Sequence, residues 1–177
     1  MDPDAYLCQL AEIFNGISVN TPSLSAIIAI ILAGLLLLAS GFASASEIAF
    51  FSLSPSDLND IEEGNHPSDG KISNLLADSE RLLATILITN NFVNVTIIML
   101  CNFFFMNVFV FHSPLAEFLI LTVILTFLLL LFGEIMPKIY SAQKTLAFCR
   151  FSAPVIYVLR KVFAPISAVL VHSTAFL

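Results

Sequence analysis

Three apolar stretches, at about 23–53, 82–111 and 115–138, each run long enough to cross a bilayer as a helix. A spanning helix satisfies its own backbone hydrogen bonds, so these runs restrict the chain to an all-α membrane protein with three transmembrane helices. Composition agrees, with 58% of the 177 residues hydrophobic and 11% charged. The first 22 residues contain no Lys or Arg and so lack the basic start of a cleaved signal peptide, which makes the first stretch a retained span.

Basic residues set the expected orientation. Lys71 and Arg81 lie between spans one and two, and Lys138, Lys144, Arg150, Arg160 and Lys161 follow the third apolar run. By the positive-inside rule the N-terminus is outside and both basic segments are cytoplasmic. The expected organisation is an external segment over 1–22, a three-span core over 23–138 with a cytoplasmic helical hairpin at 54–81, and juxtamembrane amphipathic helices over 139–177. The stretch 162–177 is short for a fourth span and contains Pro165 and His172, which favours an interfacial helix. The hairpin acids Asp57, Asp60, Glu62, Glu63, Asp69, Asp78 and Glu80 read as a solvated surface. Cys8, Cys101 and Cys149 are odd in number and scattered, so unpaired thiols are expected.

Polar groups at membrane depth are costly and mark functional sites. Span one carries Ser40, Ser44 and Glu47 on one helical stripe, with Gly41, Ala45 and Ala49 forming a second stripe of small residues for close helix contact. The ordinary reading of any one serine is a bond back to the carbonyl four residues earlier. Span two carries Asn90, Asn91 and Asn94, where Asn90 and Asn94 share a face and Asn91 is turned by roughly 100°. Their ordinary reading is hydrogen-bonded helix glue. In span three, Pro137 has no N–H to give the Gly133 carbonyl, and Glu134 adds a carboxylate beside the break; the ordinary reading is a helix end with Glu134 and Lys138 paired.

By depth, the Ser and Asn sets meet near mid-membrane, and Gly133 joins them only if span three continues past Pro137 toward Gln143 as a kinked helix. The pooled ligands are hydroxyl, amide and carbonyl oxygens with one or two carboxylates. Such a set suits the hard cations Mg²⁺, Ca²⁺ or Na⁺ rather than zinc or copper.

Three motifs together resemble the transmembrane domain of the CNNM/CorC family, the cyclin-M and haemolysin-C-like proteins associated with Mg²⁺ export. Ser40-Gly41-Phe42-Ala43-Ser44-Ala45-Ser46-Glu47-Ile48-Ala49 is similar to the family's S-x-F-F-S-G-S-E-T-A pattern. Thr85-Ile86-Leu87-Ile88-Thr89-Asn90-Asn91-Phe92-Val93-Asn94 resembles T-I-L-I-G-N-N-L-V-N, and Gly133-Glu134-Ile135-Met136-Pro137-Lys138 resembles G-E-I-I-P-K. The chain departs from these at Ala43 and Thr89, and neither change removes a ligand oxygen. The resemblance implies a homodimer with a central cation site opening alternately to either side. It implies Mg²⁺ held by Ser40, Ser44, Asn90, Asn91 and Asn94, the Gly133 carbonyl near Glu134, and a kink shaped by Pro137. It also implies paired cytosolic CBS modules, which this sequence does not contain.

The expected function is therefore a Mg²⁺ transporter or exporter domain, with Na⁺ as the candidate coupling ion, in a bacterial inner membrane. Its expected partners are a second copy, the lipid bilayer and the CBS pair, with no nucleic acid and no protein substrate. The rival is a non-transporting anchor or signalling and gliding-associated module whose polar groups only hold helices together. Enzymatic activity is not expected, since His66, His112 and His172 all lie away from mid-span and no Ser-His pair can form at depth.

Overall fold

A computed structural model describes residues 18–110 and 114–167. Ser23 caps α1 (Leu24–Phe51), its side chain accepting from the Ala26 N–H at 3.2 Å. A capping box follows at Ser54, where the Asp57 N–H donates to Ser54 Oγ (3.2 Å) and the Ser54 N–H to Asp57 Oδ2 (2.9 Å); this starts α2 (Pro55–Glu62) immediately after the first span. Gly64, at φ +68°, takes the left-handed turn that leads into α3 (Asp69–Leu76). Asp78 caps the second span, α4 (Ser79–Val108), by accepting from the Arg81 N–H.

At the far end β1 (Ser18–Val19) pairs antiparallel with β2 (Phe109–Val110) and ties the entry of span one to the exit of span two. The third span comprises α5 (Pro114–Leu128), a π-helical segment (Leu129–Ile135) and α6 (Met136–Gln143). It is followed by α7 (Thr145–Val162).

Among the described residues, Leu24–Phe51, Ser79–Val108 and Glu117–Gln143 are long and apolar enough to span a membrane. The chain is an all-α membrane protein. Span three passes through Pro137, as the joining of Gly133 to the other polar groups requires. A proline tolerated inside a helix needs its freed carbonyl accommodated, and the π turns immediately before it widen the backbone there. The expected segments 1–17, 111–113 and 168–177 lie outside the described residues, including Cys8, His112, His172 and most of 162–177.

Span one is central and packs against α4, the π segment, α6 and α7. An apolar cluster at the strand end contains Ala33, Val93, Ile97, Cys101 and Leu125. A second, at the hairpin end, joins Phe50, Ile61, Ile72, Leu82 and Ile156. Cys149 is buried in the latter, where desolvation pushes its thiol up to about 12, so it stays a protonated apolar packing group. Between the two clusters lies a layer of small and polar residues.

The hairpin is more than a solvated surface, which corrects the sequence expectation for one of its acids. Asp69 is 1% exposed and takes a two-pronged contact from Arg150 of α7, Nε to Oδ1 at 2.9 Å and Nη2 to Oδ2 at 3.1 Å. Periodicity places an acid on a face, but its distant partner is set only by the tertiary fold. The Arg150 hydrogen bonds hold the Asp69 carboxyl below its ordinary 3.8; burial opposes them, and the His66 N–H and the Arg150 charge add to the lowering. A depressed folded pKa gives stabilisation that is complete above about pH 4 and is lost as pH falls through the folded value. Thermal melts in detergent should therefore show an acid limb below pH 3.8, shallower in Asp69→Asn than in the parent. The remaining limb includes Asp57, whose pKa is lowered by its hydrogen bonds from Ser54. Identical limbs in the two proteins would exclude the Asp69–Arg150 contact as an acid-labile clasp.

Candidate functional site

Ser40 lies in the middle of the 28-residue α1, and Asn90 and Asn94 lie in the middle of the 30-residue α4. The helices bring these three together. Ser40 Oγ stands 2.8 Å from Asn90 Oδ1 and 2.6 Å from Asn94 Oδ1, and its one proton serves both contacts. Three oxygens thus converge with a deficit of hydrogens, an arrangement that favours a positive charge among them.

Ser44, one turn further along α1, is fully buried and has no hydrogen-bond partner. Its neighbour Ser46 behaves as an ordinary intramembrane serine, donating to the Phe42 carbonyl four residues back at 2.7 Å. Thr85 and Thr89 do likewise, to Arg81 and Thr85. Among the described residues, Ser44 is the buried side chain left unpaired, and an orphaned hydroxyl costs about 1–3 kcal/mol.

Span three closes the third side. A Cβ on Gly133 would stand 3.1 Å from Ser40 Oγ, so a larger residue would have to push Ser40 or the π segment back by a few tenths of an ångström. On the small-residue stripe, a Cβ on Gly41 would stand 2.9 Å from Pro137 Cγ and 3.3 Å from the Phe132 carbonyl oxygen. One turn on, the buried Ser141 donates to the Ala45 carbonyl at 2.6 Å. Ser141 was not singled out in the sequence, although it lies four residues beyond Pro137 and so repeats the four-residue spacing of Gly41 and Ala45.

The other sequence candidates fall outside this convergence or at its edge. Asn91 is exposed and turned away from Ser40, as the 100° rotation per residue requires. Glu47 forms an ion pair with Lys138 at 3.1 Å. That pair joins span one to span three and replaces the Glu134–Lys138 pair of the ordinary reading. Glu134 is half-buried next to Gly133, with no ion pair among the described residues. The described residues also contain no cluster of three His, Cys, Asp or Glu side chains able to hold a metal, so any cation here meets mainly neutral oxygens.

A buried oxygen cluster between tightly packed spans defines a polytopic membrane domain built around a polar centre. Residues 30–177 match the family model of the cyclin M transmembrane N-terminal domain, CNNM. The chain belongs to the CNNM family. It is 32% identical over 130 residues to a UPF0053 protein of Haemophilus influenzae, a match that covers 73% of this chain and 30% of the relative. The chain thus spans about a third of that relative's length.

Proposed function

We propose that this domain transports Mg²⁺, holding the ion in partly dehydrated form between spans one, two and three and releasing it as the spans rock. Ser40, Asn90 and Asn94 supply the central oxygens, Ser44 a fourth, and the Gly133 backbone a carbonyl from the π segment. Glu134 is the carboxylate left to balance the ion's charge, because Lys138 already neutralises Glu47. Family membership supports a divalent cation as cargo. Export as the direction, Na⁺ as a coupling ion using the same oxygens, an external N-terminus and regulation by cytosolic CBS modules are further parts of this reading.

The observation that carries it is the proton-poor meeting of Ser40 with Asn90 and Asn94. Adjacent ligands at about 2.1 Å from Mg²⁺ and at right angles to one another stand about 3.0 Å apart. Opening the present 2.8 and 2.6 Å contacts by a few tenths of an ångström is enough to convert them into edges of such a shell.

A homodimer completes the picture. Asn91 lies exposed on α4 at membrane depth beside the exposed Phe92 and Val95. A lipid-facing amide is costly, and a second copy packed on this face supplies a partner for it.

The rival reading, in which the polar groups are only helix glue, draws on the same Ser40 bonds. Ser44 separates the two. Ser44→Ala removes an unpaired buried hydroxyl, so its melting temperature without Mg²⁺ should equal or exceed that of the parent, while saturable Mg²⁺ binding weakens at least about tenfold. If the polar groups are only helix glue, neither the parent nor Ser44→Ala should bind Mg²⁺ saturably. Thermal melts and Mg²⁺ titrations on the same purified samples decide between them.

A further inference from the structure

The hairpin end of the bundle holds a polar cavity of about 360 Å³, separate from the ion centre. Asn74, Asp78, Arg81, Arg160, Lys161 and Ser167 line it, bringing α3, the start of α4 and the end of α7 together. Arg81 is paired with Asp78 at 3.3 Å. Arg160 and Lys161 have no carboxylate partner among the described residues. Three cations against one carboxylate leave this wall with a net charge of +2.

The two unpaired cations are held in place by neutral groups. Arg160 donates from Nη1 to the Asn74 carbonyl at 3.0 Å and from Nη2 to Asn74 Oδ1. Its guanidinium carbon lies 5.6 Å from the Tyr157 ring centroid, and Lys161 Nζ lies 4.8 Å from the same centroid. A guanidinium positioned by an amide and a ring keeps its remaining N–H groups for a ligand and has less entropy to lose on binding one.

The location narrows the ligand. Phe151, Val155, Val158 and Val162 form an exposed apolar stripe along α7, on the side away from its buried Cys149, Ala153 and Ile156. Exposed aliphatic side chains on a helix beside three membrane spans face acyl chains, which sets the cavity at the level where lipid gives way to water. We propose that this cavity binds the phosphate of an anionic phospholipid, a singly charged phosphodiester, with the acyl chains running along the α7 stripe. Basic pockets between helices at the membrane edge capture head groups through this chemistry. The Asp78 carboxylate disfavours more highly charged phosphate groups.

The test uses the full chain in detergent, titrated with phosphatidylglycerol or phosphatidylcholine and read by native mass spectrometry. The parent should retain phosphatidylglycerol in preference, and an Arg160→Ala/Lys161→Ala double variant should bind it roughly thirtyfold more weakly. Lys161→Gln alone, at an exposed position, should lose part of the preference and keeps the test readable if the double variant does not fold. Inorganic phosphate that binds the parent but not the variants, with no preference between the lipids, would assign the site to free phosphate and overturn the lipid as occupant. Equal retention of both lipids by all proteins, with no phosphate binding, would overturn the site itself. Neither residue touches the ion centre, so the outcome is independent of Mg²⁺ transport.

Discussion

Asn94→Ala should lower the apparent Mg²⁺ affinity of the reconstituted domain by roughly a hundredfold or more, and with it abolish saturable flux into proteoliposomes. Outer partners of metal ligands already cost about 10–100-fold when removed, and a direct ligand should reach at least the upper end of that range. The Asn94 amide oxygen makes the shortest contact at the centre, 2.6 Å to Ser40 Oγ, and its loss leaves Ser40 with Asn90 alone. The matched control is Asn91→Ala, which deletes the same side chain three residues away on an exposed face. It should leave the intrinsic ion affinity within a few-fold of the parent. Undiminished flux in Asn94→Ala, or an equal loss of affinity in Asn91→Ala, would remove the basis for placing the ion among these oxygens.

Gly41→Val should be the most damaging single change to the bundle. Its Cβ would meet Pro137 Cγ at 2.9 Å and the Phe132 carbonyl oxygen at 3.3 Å. Neither neighbour can rotate aside, since one is a ring atom and the other is backbone. Overpacking of this kind costs about 1–3 kcal/mol, and the two further methyl groups of valine place it at the top of that range. Gly34→Ala offers the contrast within the same helix: nothing lies within 4 Å of its added Cβ, and alanine is the better helix former by about 1 kcal/mol. Melting temperatures should fall for Gly41→Val and hold or rise for Gly34→Ala. The two variants melting alike would show that spans one and three do not meet as described.

Why the spans were legible in the sequence, and several contacts were not, follows from the range over which each is determined. Span length and apolarity are local, so the three helices and the helical hairpin between the first two could be read from the chain. Helical phase is local too. It places Ser40 with Ser44 and Asn90 with Asn94, and it turns Asn91 aside, although the family resemblance counted Asn91 among the ligands.

Pairing across helices is not local. Lys138 lies four residues from Glu134, a natural helical partner, yet bonds to Glu47 because packing at Gly41 and Pro137 brings span one nearer. Asp69 looked like one solvated acid among several until α7 delivered Arg150 to it. Ser141 carried a readable spacing signal, but its acceptor is a backbone carbonyl, and the sequence offers no marker for one.

The fastening of span three is one-sided. Its closest attachments to span one, at Phe132, Gly133, Pro137, Lys138 and Ser141, all fall within about two and a half turns at the hairpin end, and the π turns adjoin them. Spans one and two, by contrast, are stitched at the strand end by the β1–β2 pair and at mid-depth by Ser40. Mechanically, span three is pinned by close polar and backbone contacts at the hairpin end and held at the strand end by the apolar packing of Leu125 against Ala33 and Val93. Apolar surfaces slide more readily than hydrogen bonds and ion pairs break, so a displacement of the strand-end arm is taken up near the π turns and reaches the oxygen cluster as a change in the reach of the Gly133 carbonyl.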